Sequence, residues 1–319
     1  MKLSPDSSSS GTGVRVSHGR VVIGVPVHNE ARFVGRTLRS IAEQAQPDFA
    51  VLVSDNASTD GTYEICREFA ASDPRFTVVT HERNIGSAAN FEYLHRATSS
   101  PCFAWVGGHD LLHAEYLLRH LEHLERDRSL GNSYTFFRFI DADDRVLRHG
   151  NSEGIHPPHR RLPRYLMSVA LGWELGPIHG VFRREVIADM RFHSCFAADH
   201  ALLSYAACRG RMARLPGYLY SLRDFDERAR PQNVIERLSG RSGDRPDRSR
   251  TVECFLADFD CLVEQGRLPR AIRLLVHALL WDRYRSRLKL TKLARSVMKR
   301  VRRQEALLAE PRACAAVSD

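Results

Sequence analysis

Phe103-Ala104-Trp105-Val106-Gly107-Gly108-His109-Asp110 is the stretch on which the fold turns. An apolar run reads as a buried parallel strand, and it ends in two glycines and a single carboxylate. Ligands of open α/β sheets gather beyond the carboxyl ends of the strands, so Asp110 stands where a substrate would be held. Glycine at that edge lets backbone and ligand approach closely, because no Cβ intervenes. Leu111-Leu112-His113-Ala114-Glu115-Tyr116-Leu117 then reads as the start of an amphipathic helix, for which Asp110 is also a competent N-cap.

Three similar units precede it. Val21-Val22-Ile23-Gly24-Val25-Pro26-Val27 has the β-rich apolar character of a strand buried on both faces. His28-Asn29-Glu30 follows, then a helix with Val34, Leu38, Ile41 and Ala45 on one face and Asn29 as its N-cap. Val51-Leu52-Val53-Ser54 is a second strand, running into Asp55-Asn56-Ala57-Ser58-Thr59-Asp60-Gly61-Thr62 and a helix over 63–70. A third strand, 76–80, leads to Asn84-Ile85-Gly86-Ser87 and a helix through Asn90, Leu94 and Ala97. Four strands alternating with helices predict a parallel sheet with right-handed crossovers, all four loops at one edge. No G-x-G-x-x-G follows the first strand, where Pro26 sits instead, and no P-loop is present; both count against a dinucleotide-binding dehydrogenase. A carboxylate at a strand end, such as Asp55, accepts hydrogen bonds from a nucleobase N–H or a ribose hydroxyl. Ser58, Thr59 and Asp60 beside it are good helix caps.

The chain of 319 residues has room for one large domain and an appendage, and its 43% hydrophobic content suffices for a sizeable core. No apolar run approaches the roughly 20 residues of a membrane span. Met1 to Arg20 is Ser- and Gly-rich without the apolar middle of a secretory signal, which predicts a disordered tail over 1–19. The seven scattered cysteines include no C-x-x-C, which points away from disulfides and zinc and toward a reducing cytoplasm. Of the net charge of +9, ten Lys/Arg lie between Arg283 and Arg303 with no acidic residue. Without them 37 basic residues face 38 acidic ones, so the remainder is near neutral and nucleic-acid binding is not expected.

Taken together, Val25-Pro26-Val27-His28-Asn29-Glu30, Ser54 to Thr62, Asn84-Ile85-Gly86 and Gly107-Gly108-His109-Asp110 resemble the pattern of glycosyltransferase family 2 on the GT-A fold. The resemblance covers roughly residues 20 to 130, four loops agreeing in order and spacing. It implies an α/β fold with a mainly parallel, Rossmann-like sheet. It further implies that Asp55, the backbone at Pro26 and the side chain of Glu30 contact the nucleotide of a sugar donor, with His28, Asn84 and Gly86 in the neighbouring loops. Asp110 would be the metal- and diphosphate-binding end of the family's D-x-D element, its ion Mn²⁺ or Mg²⁺. The residue before it is His109 where many members have Asp. Imidazole ligates Mn²⁺ but suits Mg²⁺ poorly, and a hydrogen bond from His109 to ribose or phosphate is the other use for it.

A literal D-x-D at Asp141-Ala142-Asp143-Asp144 joins two β-rich runs and reads as a hairpin turn. Downstream, Trp173 to Arg184 resembles the family's acceptor-side segment, a Gly-x-Phe-Arg strand ahead of the catalytic carboxylate. That carboxylate would be Asp199, which opens a helix anchored by Leu202, Leu203, Ala206 and Ala207 and otherwise reads as its N-cap. An inverting transfer needs one base on the acceptor side, opposite the leaving diphosphate. Leu215 to Arg223 reads as the closing strand of a domain spanning 20–235, and Arg223 is a candidate diphosphate clamp or a surface salt-bridge partner.

A linker over 236–250 precedes a helical region, 251–310. Its last helix sets Leu290, Leu293, Ala294, Val297, Met298 and Val301 against Lys289, Lys292, Arg295, Lys299, Arg300, Arg302 and Arg303. That pattern predicts a helix lying on an anionic membrane, the other reading being a helix packed on the protein with a solvated basic face. The sequence thus predicts a cytoplasmic inverting glycosyltransferase, peripheral on the inner face of the membrane. It would take a nucleotide-diphosphate sugar, of the UDP type, and a glycan or lipid-linked acceptor. A non-catalytic nucleotide-sugar-binding relative and a nucleotidyltransferase remain as alternatives.

Overall fold

A computed structural model describes residues 14–150, 159–171, 176–195, 197–224 and 248–284. The first half alternates strand and helix as expected: β1 (Val21–Val27), α1 (Val34–Ala42), β2 (Phe49–Asp55), α2 (Thr62–Ser72), β3 (Phe76–Thr80), α3 (Ser87–Arg96) and β4 (Cys102–Trp105). After these come β5 (Leu111–Leu112), α4 (Tyr116–Arg126), β6 (Leu130–Ile140), β7 (Val146–His149) and α5 (Arg161–Leu171). A 3-10 turn (Gly176–His179) leads to β8 (Val181–Arg183), α6 (Arg184–Ile187), α7 (Ala198–Arg209) and β9 (Arg211–Arg223). The helices α8 (Arg248–Glu264) and α9 (Arg273–Tyr284) follow.

One sheet runs β3-β2-β1-β4-β8-β6-β9-β5, with β7 beside β6. β1 explains why its sequence run carries no charged residue. Val21, Ile23 and Val25 pack with α1 and α4 on one face, while Val22 packs with Leu94 of α3 and Trp105 on the other. Both faces are dry, so a period-2 polar pattern has no place. Gly24 is required there, because a Cβ would come within 2.6 Å of the Phe103 ring. β1, β2, β3 and β4 are all parallel, and Val27, Asp55 and Thr80 end their strands in register. The loops expected at one edge are there.

The other half of the sheet is mixed. β8 runs antiparallel to β4 and β6, whereas β6 and β9 are parallel. Leu111 and Leu112 do not start a helix; they pair with Ser221 and Tyr220 of β9, and the helix begins at Tyr116. Backbone groups with a strand partner in reach satisfy themselves there first. Asn29 does not cap α1 either. It sits at φ 54° and its side-chain oxygen accepts the Thr59 N–H at 2.9 Å, tying two loops, while Phe33 occupies the N-cap position.

Packed structure is already present before residue 20. Val16 is buried and exchanges backbone hydrogen bonds with Ala97 and Ser99, so the expected tail is too long by these residues. The helices α8 and α9 pack on α5 and α7. Phe255, Phe259, Leu262, Val276 and Leu280 share a core with Tyr165, Val169 and the apolar residues of α7. His200 of α7 joins this packing, its ring meeting the Tyr284 hydroxyl and, at 2.7 Å, the Ser168 carbonyl. The last residues assigned to a linker, 248–250, already belong to α8. The rest of that linker and the basic helix from Lys289 to Arg303 lie outside the described residues. No helix among the described residues is long and apolar enough to cross a membrane.

Candidate active site

The carboxyl edge of the parallel strands is a woven set of loops. Asn56 donates to Asn84 Oδ1 at 2.9 Å and accepts the Ile85 N–H at 2.8 Å; Asn84 also meets His28 Nε2 at 3.1 Å. Gly86, at φ 84°, adopts a conformation that favours glycine and donates its N–H to Asn84. Glu30 and Ala31 donate backbone N–H groups to Thr62 and Asp60, so the loops after β1 and β2 brace one another. Asp60 thereby serves the loop rather than a ligand. Burial alone would raise its carboxyl, but hydrogen bonds from Thr62 and Ala31 leave it lowered.

Asp55 ends β2 within this weave and is buried. Its Oδ2 accepts from Thr80 and from the Ser58 N–H, at 2.9 and 3.2 Å. Its Oδ1 is buried with no hydrogen-bond partner. A carboxylate oxygen left in that state is costly until a donor reaches it.

The Gly107–Asp110 loop crosses the end of β1 so closely that a Cβ on Gly108 would lie 2.6 Å from Val27 Cγ1. One on Gly107 would lie 2.6 Å from Asp110 Oδ2. Asp110 is buried and held by β9 from two sides. Tyr220 donates its hydroxyl to Oδ2 at 2.7 Å, and the Arg223 N–H reaches Oδ1 at 2.9 Å. Burial, and then the charge of Asp110, push the Tyr220 phenol well above its ordinary range. His109 bridges two carboxylates, with Nδ1 3.0 Å from Glu30 Oε1 and Nε2 3.8 Å from Asp110 Oδ1. An ionised carboxylate only accepts, so in the contact with Glu30 it is the imidazole Nδ1 that donates.

Arg223 is committed to the protein. Its side chain is fully buried, stacked on Phe33 at 4.6 Å. Its three nitrogens donate to the His109 carbonyl (2.8 Å), the Asp141 carbonyl and the Asp144 carboxylate. It is a strut under the His109–Asp110 loop, not a surface salt bridge. The D-x-D decoy is indeed the β6–β7 turn. Asp144 sits at φ 68°, and Arg36 grips the turn through Asp144 at 2.7 Å and the Ala142 carbonyl at 3.0 Å.

Asp199 lies in the first turn of α7, half-buried, and burial raises its carboxyl. The His200 N–H and the charge of Arg283 pull the other way without prevailing. α7 packs against β6, β9 and the Gly176–His179 turn. That turn sets the His179 ring 4.4 Å from Tyr220, beside Asp110, and burial pushes this imidazole down to about 4 against the pull of Asp110. Sequence reasoning missed Tyr220 and His179. In a strand of alternating apolar residues a tyrosine reads as core, and a lone histidine after Gly-Pro carries no spacing signal.

Residues 22–187 match the profile of Glycosyl transferase family 2. Over 134 residues the chain is 29% identical to the putative teichuronic acid biosynthesis glycosyltransferase TuaG of Bacillus subtilis, covering 42% of this chain and 51% of that protein. It is 28% identical over 131 residues to chondroitin synthase of Escherichia coli, covering 41% of this chain and 19% of that one. The chain therefore aligns with about half of the length of the first of these relatives and about a fifth of the second. S. aureus TarS in complex with UDP-GlcNAc superposes with a TM-score of 0.60 at 17% identity, over 83% of this chain and 72% of that chain. The mannosyltransferase PcManGT of Pyrobaculum calidifontis, in complex with GDP-Man and Mn²⁺, gives 0.50 at 20% identity, over 88% and 73%. These likenesses establish the GT-A type of fold. Since the matched profile takes in all four loops of the carboxyl edge and more than half of the sequence, the chain belongs to glycosyl transferase family 2.

Proposed function

We propose that the chain transfers a sugar, with inversion, from a UDP-type nucleotide-diphosphate donor to a hydroxyl of a glycan or lipid-linked acceptor. The observation that carries this reading is Asp55, whose buried Oδ1 has no partner at the edge where α/β sheets hold ligands. A nucleobase N–H, such as that of uracil, supplies the missing donor. Pro26, His28, Glu30, Asn84 and Gly86 shape the surrounding loops. Asp199 takes the acceptor proton as the hydroxyl oxygen attacks the anomeric carbon and the bond to the diphosphate breaks. A carboxyl raised by burial suits a base that must bind a proton in the transition state.

The residues also fit a divalent ion, in one arrangement. Among the described residues no three His, Cys, Asp or Glu side chains are grouped to hold a metal. Asp110 Oδ1 and His109 Nε2, 3.8 Å apart, are close enough to share one ion, since two ligands each about 2.1 Å from a metal lie at most about 4.2 Å apart. Glu30 orients the imidazole from its far side, as carboxylates do for ligating histidines. Asp110 and His109 would hold the ion, Mn²⁺ rather than Mg²⁺ because of the nitrogen donor. When bound, the ion neutralises charge on the departing diphosphate.

A thermal-shift panel of UDP- and GDP-sugars with Mn²⁺ and Mg²⁺ tests the donor, since a tight ligand raises stability by mass action. Asp55→Asn keeps the acceptor for Thr80 and Ser58 but presents an amide N–H where the open oxygen was. It should weaken UDP-sugar binding by about 10–100-fold, the worth of a charge-assisted hydrogen bond, with little change in Tm. Unchanged affinity in the variant, or no stabilisation by any nucleotide sugar, removes the assignment.

A further inference from the structure

The strands β6, β7 and β9 lie side by side, and none of the three contains an Asp or a Glu. Residues directly paired across strands share a face of the sheet. The register therefore sets Tyr134 with Arg214, Phe136 with Tyr218, and Arg138 with both His149 and Ser221. Alternation along β6 puts Tyr134, Phe136 and Arg138 on one face. The rings there meet: Phe136 and Tyr218 lie 5.6 Å apart at 32°, and His149 lies 4.5 Å from Tyr218. The Arg214 guanidinium covers Phe136 at 3.9 Å. Tyr218 is 37% exposed and His149 is exposed. Arg138, half-buried, closes the row. Its Nε donates to Ser221 Oγ at 3.1 Å, and among the described residues no carboxylate pairs with it. A guanidinium partly out of water gains from any anion that reaches it.

This face lies on the Asp199 side of the sheet. β8 is antiparallel to both β4 and β6, so β6 and its parallel neighbour β9 run the way of β1 to β4 and end at the carboxyl edge. Tyr134 shares a core with the apolar residues of α7, so Phe136 and Arg138 prolong toward that edge the face that α7 covers. At the amino edge α7 turns through the single residue Gly210 into Arg211 of β9, beside Leu130. The opposite end of α7, with Asp199, therefore points toward the carboxyl edge.

We propose that this face binds an anionic glycan, a sugar ring resting on the Tyr218 and His149 rings and a carboxylate of that ring received by Arg138. That the bound glycan is the acceptor rests on the proposed transfer; the binding itself does not. Aromatic side chains offer flat apolar area, with a polar rim, to the C–H face of a pyranose. Arg138 stands two positions from Phe136 along β6, about 7 Å. That span suits a charge carried on the stacked ring itself, as in a uronic acid. With Nε engaged by Ser221, the two terminal nitrogens of Arg138 remain for a bidentate carboxylate.

Calorimetry on the full chain, without donor, tests this with hexagalacturonate and the same hexamer methyl-esterified. The free acid should bind one-to-one and more weakly as salt rises. The ester keeps the rings but loses the charge, and should bind about tenfold more weakly or worse. Arg138→Gln should erase most of the difference between acid and ester, and Tyr218→Ala should weaken both by about tenfold, each at the wild-type Tm. The comparison of acid with ester needs no variant. No binding of the acid, equal binding of acid and ester, or equal binding of a thymidine oligonucleotide of the same charge overturns the proposal. A chain stabilised by nucleotide sugars but indifferent to uronates refutes this surface alone. One that binds uronates but no nucleotide sugar refutes the transfer and leaves the surface standing.

Discussion

A carboxylate in the first turn of a helix is ordinarily comfortable, yet Asp199 is held with its carboxyl raised, because burial outweighs the His200 N–H and Arg283. The sign of the consequence follows from linkage. A folded-state pKa above the unfolded one means that the group's stabilising contribution is complete below the unfolded value and is lost as pH rises through the folded one. In its ionised form Asp199 therefore strains the fold. Asp199→Asn should raise Tm while lowering turnover by about 10²–10⁴-fold, the range for a lost general base, with donor affinity unchanged. Wild-type turnover should fall as pH drops through this raised value, on an acid limb above the ordinary Asp range. Normal turnover in the variant would return Asp199 to a helix-opening role. At this scale much was legible: Asp55, Asp110 and Asp199 stand at strand or helix ends where a charge needs a reason. The reason itself was not, because whether Oδ1 of Asp55 lacks a partner or the Arg223 guanidinium is buried against the protein depends on groups distant in sequence.

Among elements, β9 does what no local pattern announces. Tyr220 and the backbone of Arg223 hold Asp110 across about 110 positions, and the Arg223 guanidinium fastens the same loop to the β6–β7 turn. Periodicity marks β9 as a strand but says nothing about which loop it meets. The same blindness mistook Leu111 and Leu112 for helix, since their partner is β9. With Asp110 fixed from behind by β9, His109 is held by Glu30 from its far side. His109→Ala should abolish any advantage of Mn²⁺ over Mg²⁺ in supporting donor binding. Glu30→Ala should weaken Mn²⁺ affinity by about 10–100-fold, as is usual when the carboxylate behind a metal-bound histidine is lost. Calorimetric titration of each ion with and without donor measures both. A Mn²⁺ preference that survives in His109→Ala would show that the imidazole is no ligand.

For the whole molecule, the distribution of charge and apolar surface matters more than either total. The excess of positive charge follows α9, and among the described residues α9 itself carries exposed apolar side chains. Leu274 is 81% exposed and Trp281 46%; with the exposed Ala278 between them, their spacing puts all three on one side of the helix. We propose that this stripe and the basic residues after it rest on an anionic membrane, where each Lys or Arg near the surface contributes about 1 kcal/mol. Such contact would bring the carboxyl-edge loops to a lipid-linked acceptor. The truncation that tests this must spare the core. Tyr284 is buried against His200, and Arg283 donates to the Ala170 carbonyl at 3.1 Å, so a cut after Trp281 would unfold what it means to probe. A chain ending at Tyr284 should keep its Tm and its donor binding, yet fail to float with phosphatidylserine vesicles that carry the intact protein. In the intact chain, Leu274→Glu with Trp281→Glu should reduce flotation while leaving the basic segment in place. If truncated and intact chains float alike, or the intact chain floats only as it does with neutral vesicles, the basic segment is a solvated face and the acceptor must be sought in solution.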